Sequence, residues 1–155
     1  MQVEDILLNS ISLQLHKHPE LEDLPIYTDR VNQDFQVPAL YVYLAYAQDR
    51  KKLRNREFTN RNVNYSFSII YKNGKDEMYQ QDALNKYKII REIFSYLYVT
   101  LPDGRKYTFQ VNDIDLSFSD VAMTVILRFK IPYRITYDVD LVKSLEHKII
   151  MKEEN

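Results

Sequence analysis

Two carboxylates, Asp113 and Asp115, come closest in this sequence to a reactive or metal-binding pair. They lie on a predicted strand, and because side chains alternate along a strand, both point to the same face. Such oxygen ligands suit a hard cation such as Mg²⁺, and Asp120 is a further candidate nearby. Asp is also favoured beside short strands and turns. We expect that structural role here, rather than a metal site or a metal-dependent nuclease.

The three histidines do not form a catalytic or ligand pair. His16 and His18 are two residues apart, which on a helix places their side chains about 200° apart around the axis. His147 stands alone near the end of the chain. We expect all three to be solvent-exposed residues without a catalytic or metal-binding role.

The sequence also lacks the local signatures of common enzyme classes. It contains no G-x-S-x-G, H-E-x-x-H, P-loop or dinucleotide fingerprint. The absence of cysteine excludes disulfides and thiolate metal sites. Gly74 and Gly104 are isolated, so no glycine-rich phosphate loop is present. The sequence therefore predicts neither an enzyme nor a cofactor.

Positive charge is concentrated in residues 50–61, "RKKLRNREFTNR", called here the basic stretch. Six basic residues against Glu57 give it a local charge of +5. The whole chain carries −1, so the remainder carries −6, which is −1 minus 5. We expect the basic residues to contact a partner; they are Arg50, Lys51, Lys52, Arg54, Arg56 and Arg61.

Three interpretations of the basic stretch remain open from its residues. Complementary charge orients protein partners, so it can dock on an acidic protein or on the acidic remainder of a second copy. The alternative is nucleic acid binding, although a pI of about 6.3 and the lone aromatic Phe58 differ from a typical nucleic-acid domain. The third interpretation is a solvated connection without a partner.

The spacing of apolar residues predicts the elements that position these side chains. Helices are expected over 3–17 and 138–155, and a third begins near Glu77 with an apolar stripe that continues to Leu97. A turn is expected at "PDG", residues 102–104. The predicted strands cover residues 26–28, 37–48, 62–71, 106–111, 114–119 and 121–133.

These elements predict an α+β fold with a mainly antiparallel β-sheet packed by two to three helices. The basic stretch joins two strands as the far end of a long hairpin. The strand over 37–48 is apolar on both faces, which predicts a central position in the sheet. Pro132 cannot donate to a ladder, so the end of the last strand is expected at an edge or past the sheet.

Length and composition are those of a single globular domain. The chain has 155 residues and no apolar run near the ~18 residues that span a bilayer. Glu4 and Asp5 occupy the region where a signal peptide carries basic residues, so we expect a cytoplasmic protein. The 13 tyrosines suit either the lining of strands or protein–protein interfaces.

The order of features resembles that of the phage tail terminator family of phages, prophages and phage-derived contractile particles. The resemblance covers residues 3–136 and depends on "DFQVPALYVYL", the basic hairpin, "NYSFSIIY", "NKYKIIREIF" and a closing pair that ends in "RFKIPYRI". It implies a tail-terminator-like domain over 1–136. Residues 137–155 depart from the pattern and are expected to form a C-terminal helical arm.

The resemblance also implies a function and partners. Copies of such a protein assemble as a hexameric ring that caps the head-proximal end of the tail tube and ends its growth. The ring offers a docking surface to neck and sheath proteins in a contractile tail, and nucleic acid meets it only by passage through the ring. The expected location is the bacterial cytoplasm during assembly and then the virion or phage-like particle, with no membrane partner.

Overall fold

The computed structural model describes residues 2–28, 37–49, 62–74, 80–119 and 121–136. Within these ranges the helices α1 (Val3–His16) and α2 (Gln80–Ile93) accompany six strands, and residues 133–136 after the last strand are also helical. The strands are β1 (Ile26–Tyr27), β2 (Ala39–Asp49), β3 (Asn62–Lys72), β4 (Tyr96–Thr100), β5 (Lys106–Phe118) and β6 (Met123–Pro132). The predicted terminal helix over 138–155 and the basic stretch lie outside the described residues.

All six strands form one sheet in the order β1-β2-β3-β6-β5-β4. β1 pairs with β2 in parallel, whereas every other neighbouring pair is antiparallel. The α+β class with a mainly antiparallel sheet, predicted from the order of elements, is therefore confirmed. β3 and β6 occupy the middle of the sheet, where their alternating apolar side chains pack against the helices.

The core lies on one face of the sheet. The alternating residues of β3 and β6 are buried there, and Phe67 stacks on Phe129 with ring centroids 5.7 Å apart. α1 covers this face and contacts both β2 and β4, which lie near opposite edges of the sheet. Since one helix reaches both flanks, the sheet must curl around it.

α1 forms because its sequence supplies both an apolar face and a start signal. Val3, Ile6, Leu7 and Ile11 follow helical spacing and are buried. At the first turn, the Asp5 carboxylate accepts the Gln2 backbone N–H at 3.1 Å, which satisfies a donor that no helical carbonyl reaches. The helix predicted over 3–17 is confirmed at Val3–His16.

Gln14 fixes α1 to the outer edge of β4. Its side-chain amide donates to the carbonyl oxygens of Ile93 and Tyr96 at 2.9 and 2.7 Å. Its side-chain oxygen accepts the backbone N–H of Tyr98 at 3.1 Å. The buried amide thereby satisfies backbone groups of an edge strand that would otherwise face solvent or another strand.

α2 is shorter than the sequence indicates. The apolar stripe predicted a helix through Leu97, but α2 ends at Ile93 and β4 begins at Tyr96. The prediction was wrong because Phe94 and Leu97 continue the helical spacing by coincidence. Both are buried, Phe94 in the turn after α2 and Leu97 on the core face of β4.

β5 is one strand where the sequence predicted two. It runs from Lys106 to Phe118, and its register against β6 shifts between Val111 and Asp113. The extra residue, Asn112, changes which face the following side chains occupy, so the alternation looks interrupted. The turn before β5 is as predicted: Gly104 has φ 90° and its N–H donates to Leu101 O at 2.9 Å.

β2 is less central than predicted. It is second in the strand order, but β1 pairs only with Leu40 and Tyr41. Pro132, in contrast, lies at the last position of β6 opposite Asn62, so the missing N–H falls where the ladder ends. This agrees with its expected place past the sheet rather than on an edge strand, because β6 lies between β3 and β5.

Replacing Gln14 tests the attachment of α1 to β4. Gln14→Leu keeps a side chain of similar size but leaves two carbonyls and one N–H unpaired. We expect the free energy of unfolding to fall by about 2 kcal/mol, measured by urea denaturation. The matched control is Gln81→Leu, since Gln81 is exposed on α2 and its side-chain amide donates to Asn85 Oδ1, one turn further along the same helix. Equal stability of the two variants would contradict the anchoring role.

Tyr71 supplies a pH-dependent test of how α2 attaches to β3. Its hydroxyl donates to Asp82 Oδ2 at 2.6 Å, and burial, with the Asp82 carboxylate, raises the pKa of Tyr71 above its ordinary value. In the unfolded chain this tyrosine ionises from about pH 10, whereas in the native state it still holds its proton at that pH. The stability that the buried hydroxyl contributes is therefore lost as the pH rises above about 10. Tyr71→Phe should lower stability at neutral pH by about 1 kcal/mol and make its alkaline decline shallower.

The measurement for Tyr71 is the free energy of unfolding across an alkaline pH series. Tyr98→Phe is the control. Tyr98 is 57% exposed, so this substitution removes a phenol from the surface rather than from the core. A Tyr71→Phe protein whose alkaline decline is as steep as that of the wild type would contradict the buried bond.

Candidate interaction surface

The predicted contact residues belong to the connection between β2 and β3. Asp49 lies opposite Val63 at the end of the ladder, so residues 50–61 connect two neighbouring antiparallel strands. The expected hairpin connection is therefore confirmed. The six basic residues themselves lie outside the described residues: Arg50, Lys51, Lys52, Arg54, Arg56 and Arg61.

The described part of β2 that leads to the basic stretch is apolar and exposed. Leu44 and Tyr46 are 37% and 55% exposed, and Ala45 and Ala47 are also on the surface. Among the described residues, no strand pairs with this part of β2 on the side away from β3. We call Leu44–Gln48 the open edge.

The backbone of the open edge presents hydrogen-bonding groups outward. Leu40 N–H donates to Pro25 O at 2.9 Å, so Leu40 faces β1. Alternate residues of a strand share this direction, which turns the backbone groups of Leu44 the same way. A register shift between Leu44 and Tyr46 then makes Ala45 the extra residue and brings Ala47 to the outward position.

The tyrosines divide between core and surface. Tyr65 and Tyr71 are buried, and Tyr65 O–H donates to Glu4 Oε1 at 3.3 Å. Tyr46, Tyr96 and Tyr98 are exposed, and exposed tyrosines are typical of protein interfaces. The lining of strands accounts for the buried tyrosines, while an interface role for the exposed ones stays a prediction.

The two candidate carboxylates share the outer face of the sheet, as predicted. Asp113 lies opposite Arg128 and Asp115 opposite Ile126. Asp115 forms an ion pair with Arg128, in which the side chains are 58% and 42% exposed. In the described part of the chain, no three His, Asp or Glu side chains gather closely enough to hold a metal ion. Asp120 lies outside the described residues.

Two of the histidines bond within the turn after α1. The His16 ring nitrogen Nε2 donates to Leu24 O at 3.0 Å, and His18 Nδ1 accepts the Glu20 backbone N–H at 3.2 Å. Both bonds help the chain to turn from α1 towards β1. His147 lies outside the described residues.

Sequence reasoning missed two features of this surface. The open edge was hidden because a strand that is apolar on both faces looks central. The role of Gln14 was missed because a single glutamine in an amphipathic helix gives no signal of its partners.

No helix in the described part of the chain has the length and apolar character that a bilayer crossing requires.

Comparison with protein families identifies a match over most of the chain. The family model described as "Phage tail terminator protein" matches residues 6–144. No curated protein matches the chain significantly. The matched range covers most of α1, all of α2 and all six strands, and it continues beyond the last described residue.

The Asp113 and Asp115 pair provides a test of a structural role for this face. An exposed ion pair is worth about 0–1 kcal/mol, so Asp113→Asn combined with Asp115→Asn should leave the free energy of unfolding nearly unchanged. Incubated with plasmid DNA and Mg²⁺, the wild-type protein should leave the DNA intact. DNA cleavage that the double variant abolishes would establish a metal-dependent nuclease instead.

Proposed function

The chain belongs to the phage tail terminator family, and from this membership we propose that it assembles into a hexameric ring that caps the head-proximal end of a tail tube. The family is a structural one, with a role in phage tail assembly. In this proposal the ring ends tube growth and presents a docking surface to the neck. The observation that carries the proposal is the family match over residues 6–144.

The proposed partners are other copies of the chain, the tail tube protein, and the neck and sheath proteins of a contractile tail. The surface of the described residues supports association: the open edge is apolar, and Tyr96 and Tyr98 are exposed on β4. Nucleic acid passes through the ring without a dedicated site. The chemistry proposed is assembly alone, with no cofactor.

The basic stretch is the proposed contact region for the tube or for the neighbouring copy. This stretch carries a charge of +5, whereas the remainder of the chain carries −6. Such charge separation lets one copy attract the acidic body of another and sets their orientation. Individual exposed ion pairs contribute only about 0–1 kcal/mol, but repetition around a ring multiplies them through avidity.

Removing the charge of the stretch tests this function. Replacing Arg50, Lys51, Lys52 and Arg54 by Ser should leave the circular dichroism spectrum and the melting temperature unchanged, because the flanking strands carry the core residues. Tails assembled with this variant should have uncontrolled lengths or fail to join heads in electron micrographs. Tails of normal length that join heads would contradict the docking role.

The matched control removes the same number of charges from exposed positions in the described part of the chain. It replaces four lysines by Ser: Lys17, Lys88, Lys106 and Lys130. The net charge changes by the same amount in this control, but the basic stretch is retained. We therefore expect it to terminate tails normally. If both variants fail alike, net charge rather than the basic stretch governs assembly.

Nucleic acid binding by the same stretch predicts a different result. Phosphate contacts by six basic residues give a logarithmic salt slope of roughly −5 for duplex DNA. Tight DNA binding with such a slope, lost in the variant that still terminates tails, would assign the stretch to nucleic acid.

A further inference from the structure

The far edge of the sheet, like the open edge, carries exposed apolar side chains. Tyr96 and Tyr98 are 48% and 57% exposed on β4, the last strand in the order of the sheet. Leu13 of α1 is 65% exposed, the highest value among the large apolar side chains of the described residues. It comes directly before Gln14, whose side chain bonds to the backbone of Tyr96 and Tyr98, so α1 carries Leu13 to this edge. We call Leu13, Tyr96 and Tyr98 the β4 flank.

Both edges lack the charged residues by which natural proteins protect exposed strands. β4 reads "YLYVT", and residues 40–48 of β2 read "LYVYLAYAQ". Strands β5 and β6, which lie inside the sheet, together contain five charged side chains: Lys106, Asp113, Asp115, Arg128 and Lys130. Two copies can therefore bring these edges together without burying a charged side chain of either strand.

Contact at the β4 flank must be made by side chains. Gln14 already accepts the Tyr98 N–H and donates to the Tyr96 carbonyl, which are backbone groups that an added strand would need. A second copy could pair with them only by displacing α1, which packs on the core. The tyrosine and leucine side chains of the flank are not restricted in this way, because they project away from the backbone that Gln14 occupies.

The β4 flank has its tyrosines on the outer face of the sheet and its leucine on the helix side. Buried and exposed residues alternate along β4, and Leu97 and Val99 are the buried ones. Tyr96 and Tyr98 therefore project from the opposite, outer face. Leu13 belongs to α1, which covers the core face of the sheet.

The open edge has the same two layers. Leu44 lies opposite the buried Phe67 and is therefore on the core face, where the helices lie. Tyr46 lies opposite Ser66, which precedes Phe67 on β3 and so belongs to the outer face. When two copies stand side by side with their outer faces in the same direction, leucine meets leucine on the helix side and tyrosine meets tyrosine on the outer side.

We propose that the β4 flank of one copy packs against the open edge of the next copy, with Leu13 beside Leu44 and the two flank tyrosines beside Tyr46. Aromatic residues and a low content of charge are typical of the buried centre of a protein interface. The contact joins two unlike surfaces, so repetition generates a ring when the rotation closes. This proposal rests on the self-assembly proposed above and names the interface that produces it.

Site-directed cross-linking tests the interface, since the natural chain has no cysteine. Leu13→Cys and Leu44→Cys are made as two separate full-length variants, mixed under assembly conditions and treated with a short bismaleimide cross-linker. We expect covalent dimers from the mixture and almost none from either variant alone, because two unlike surfaces meet. One chain with both substitutions should give a ladder of covalent oligomers on a denaturing gel.

The control mixes Leu44→Cys with Val121→Cys and should give no dimer. Val121 is 55% exposed in the turn between β5 and β6, so its thiol is accessible but lies outside the β4 flank. Equal yields from the two mixtures, or from one variant alone, would overturn the proposal. A lack of cross-links although mass photometry shows wild-type rings would also overturn it, while leaving the proposed function intact. A wild-type chain that stays monomeric under every assembly condition overturns both.

A charge exchange at the tyrosines tests the same contact without a cross-linker. Tyr46→Lys with Tyr98→Lys places like charges on the facing surfaces and should raise the concentration for half-assembly about tenfold or more. Tyr46→Glu with Tyr98→Lys changes the same exposed positions but supplies opposite charges, so it should assemble at a lower concentration than the lysine pair. Equal concentrations for the two variants would show that these surfaces do not face each other.

Discussion

The contact between α1 and both flanks of the sheet is the constraint on which the rest of the fold depends. A six-stranded open sheet buries one face only when an element spans its width, and α1 does so by packing on β2 and β4. Gln14 makes the attachment specific, because one buried amide bonds with Ile93, Tyr96 and Tyr98. The curl of the sheet follows from the contact of α1 with both flanks, and the Gln14 bonds occupy backbone groups of the β4 edge.

That attachment makes the sheet asymmetric. One edge is occupied by a side chain of the same molecule, whereas the open edge of β2 presents apolar residues and outward backbone groups. The self-assembly proposed above requires two unlike surfaces, and an asymmetric sheet provides them. On the outer face of the sheet, Asp115 forms an ion pair with Arg128 of the neighbouring strand.

Much of the fold was predictable because its strongest patterns are local. The alternation in β3 and β6 identified both central strands, and helical spacing located α1 to within one residue. The errors occurred where two patterns coincide. Phe94 and Leu97 extend the spacing of α2 into β4, and the extra residue Asn112 reverses the alternation of β5. Of the candidate site, the sequence located the connection at the end of the hairpin, while its six basic residues remain a prediction.

The sequence by itself determined the element types, the placement of charge in one connection and the absence of thiol chemistry, because these depend on residue identity and near neighbours. Only the tertiary structure decided which strand edge stays open. β2 is apolar on both faces, which made it look central, yet β1 covers just Leu40 and Tyr41. Edge exposure depends on pairing between segments far apart in the chain, and a local pattern cannot specify it. For the same reason the partners of Gln14, some 80 residues away, were visible only in the folded chain.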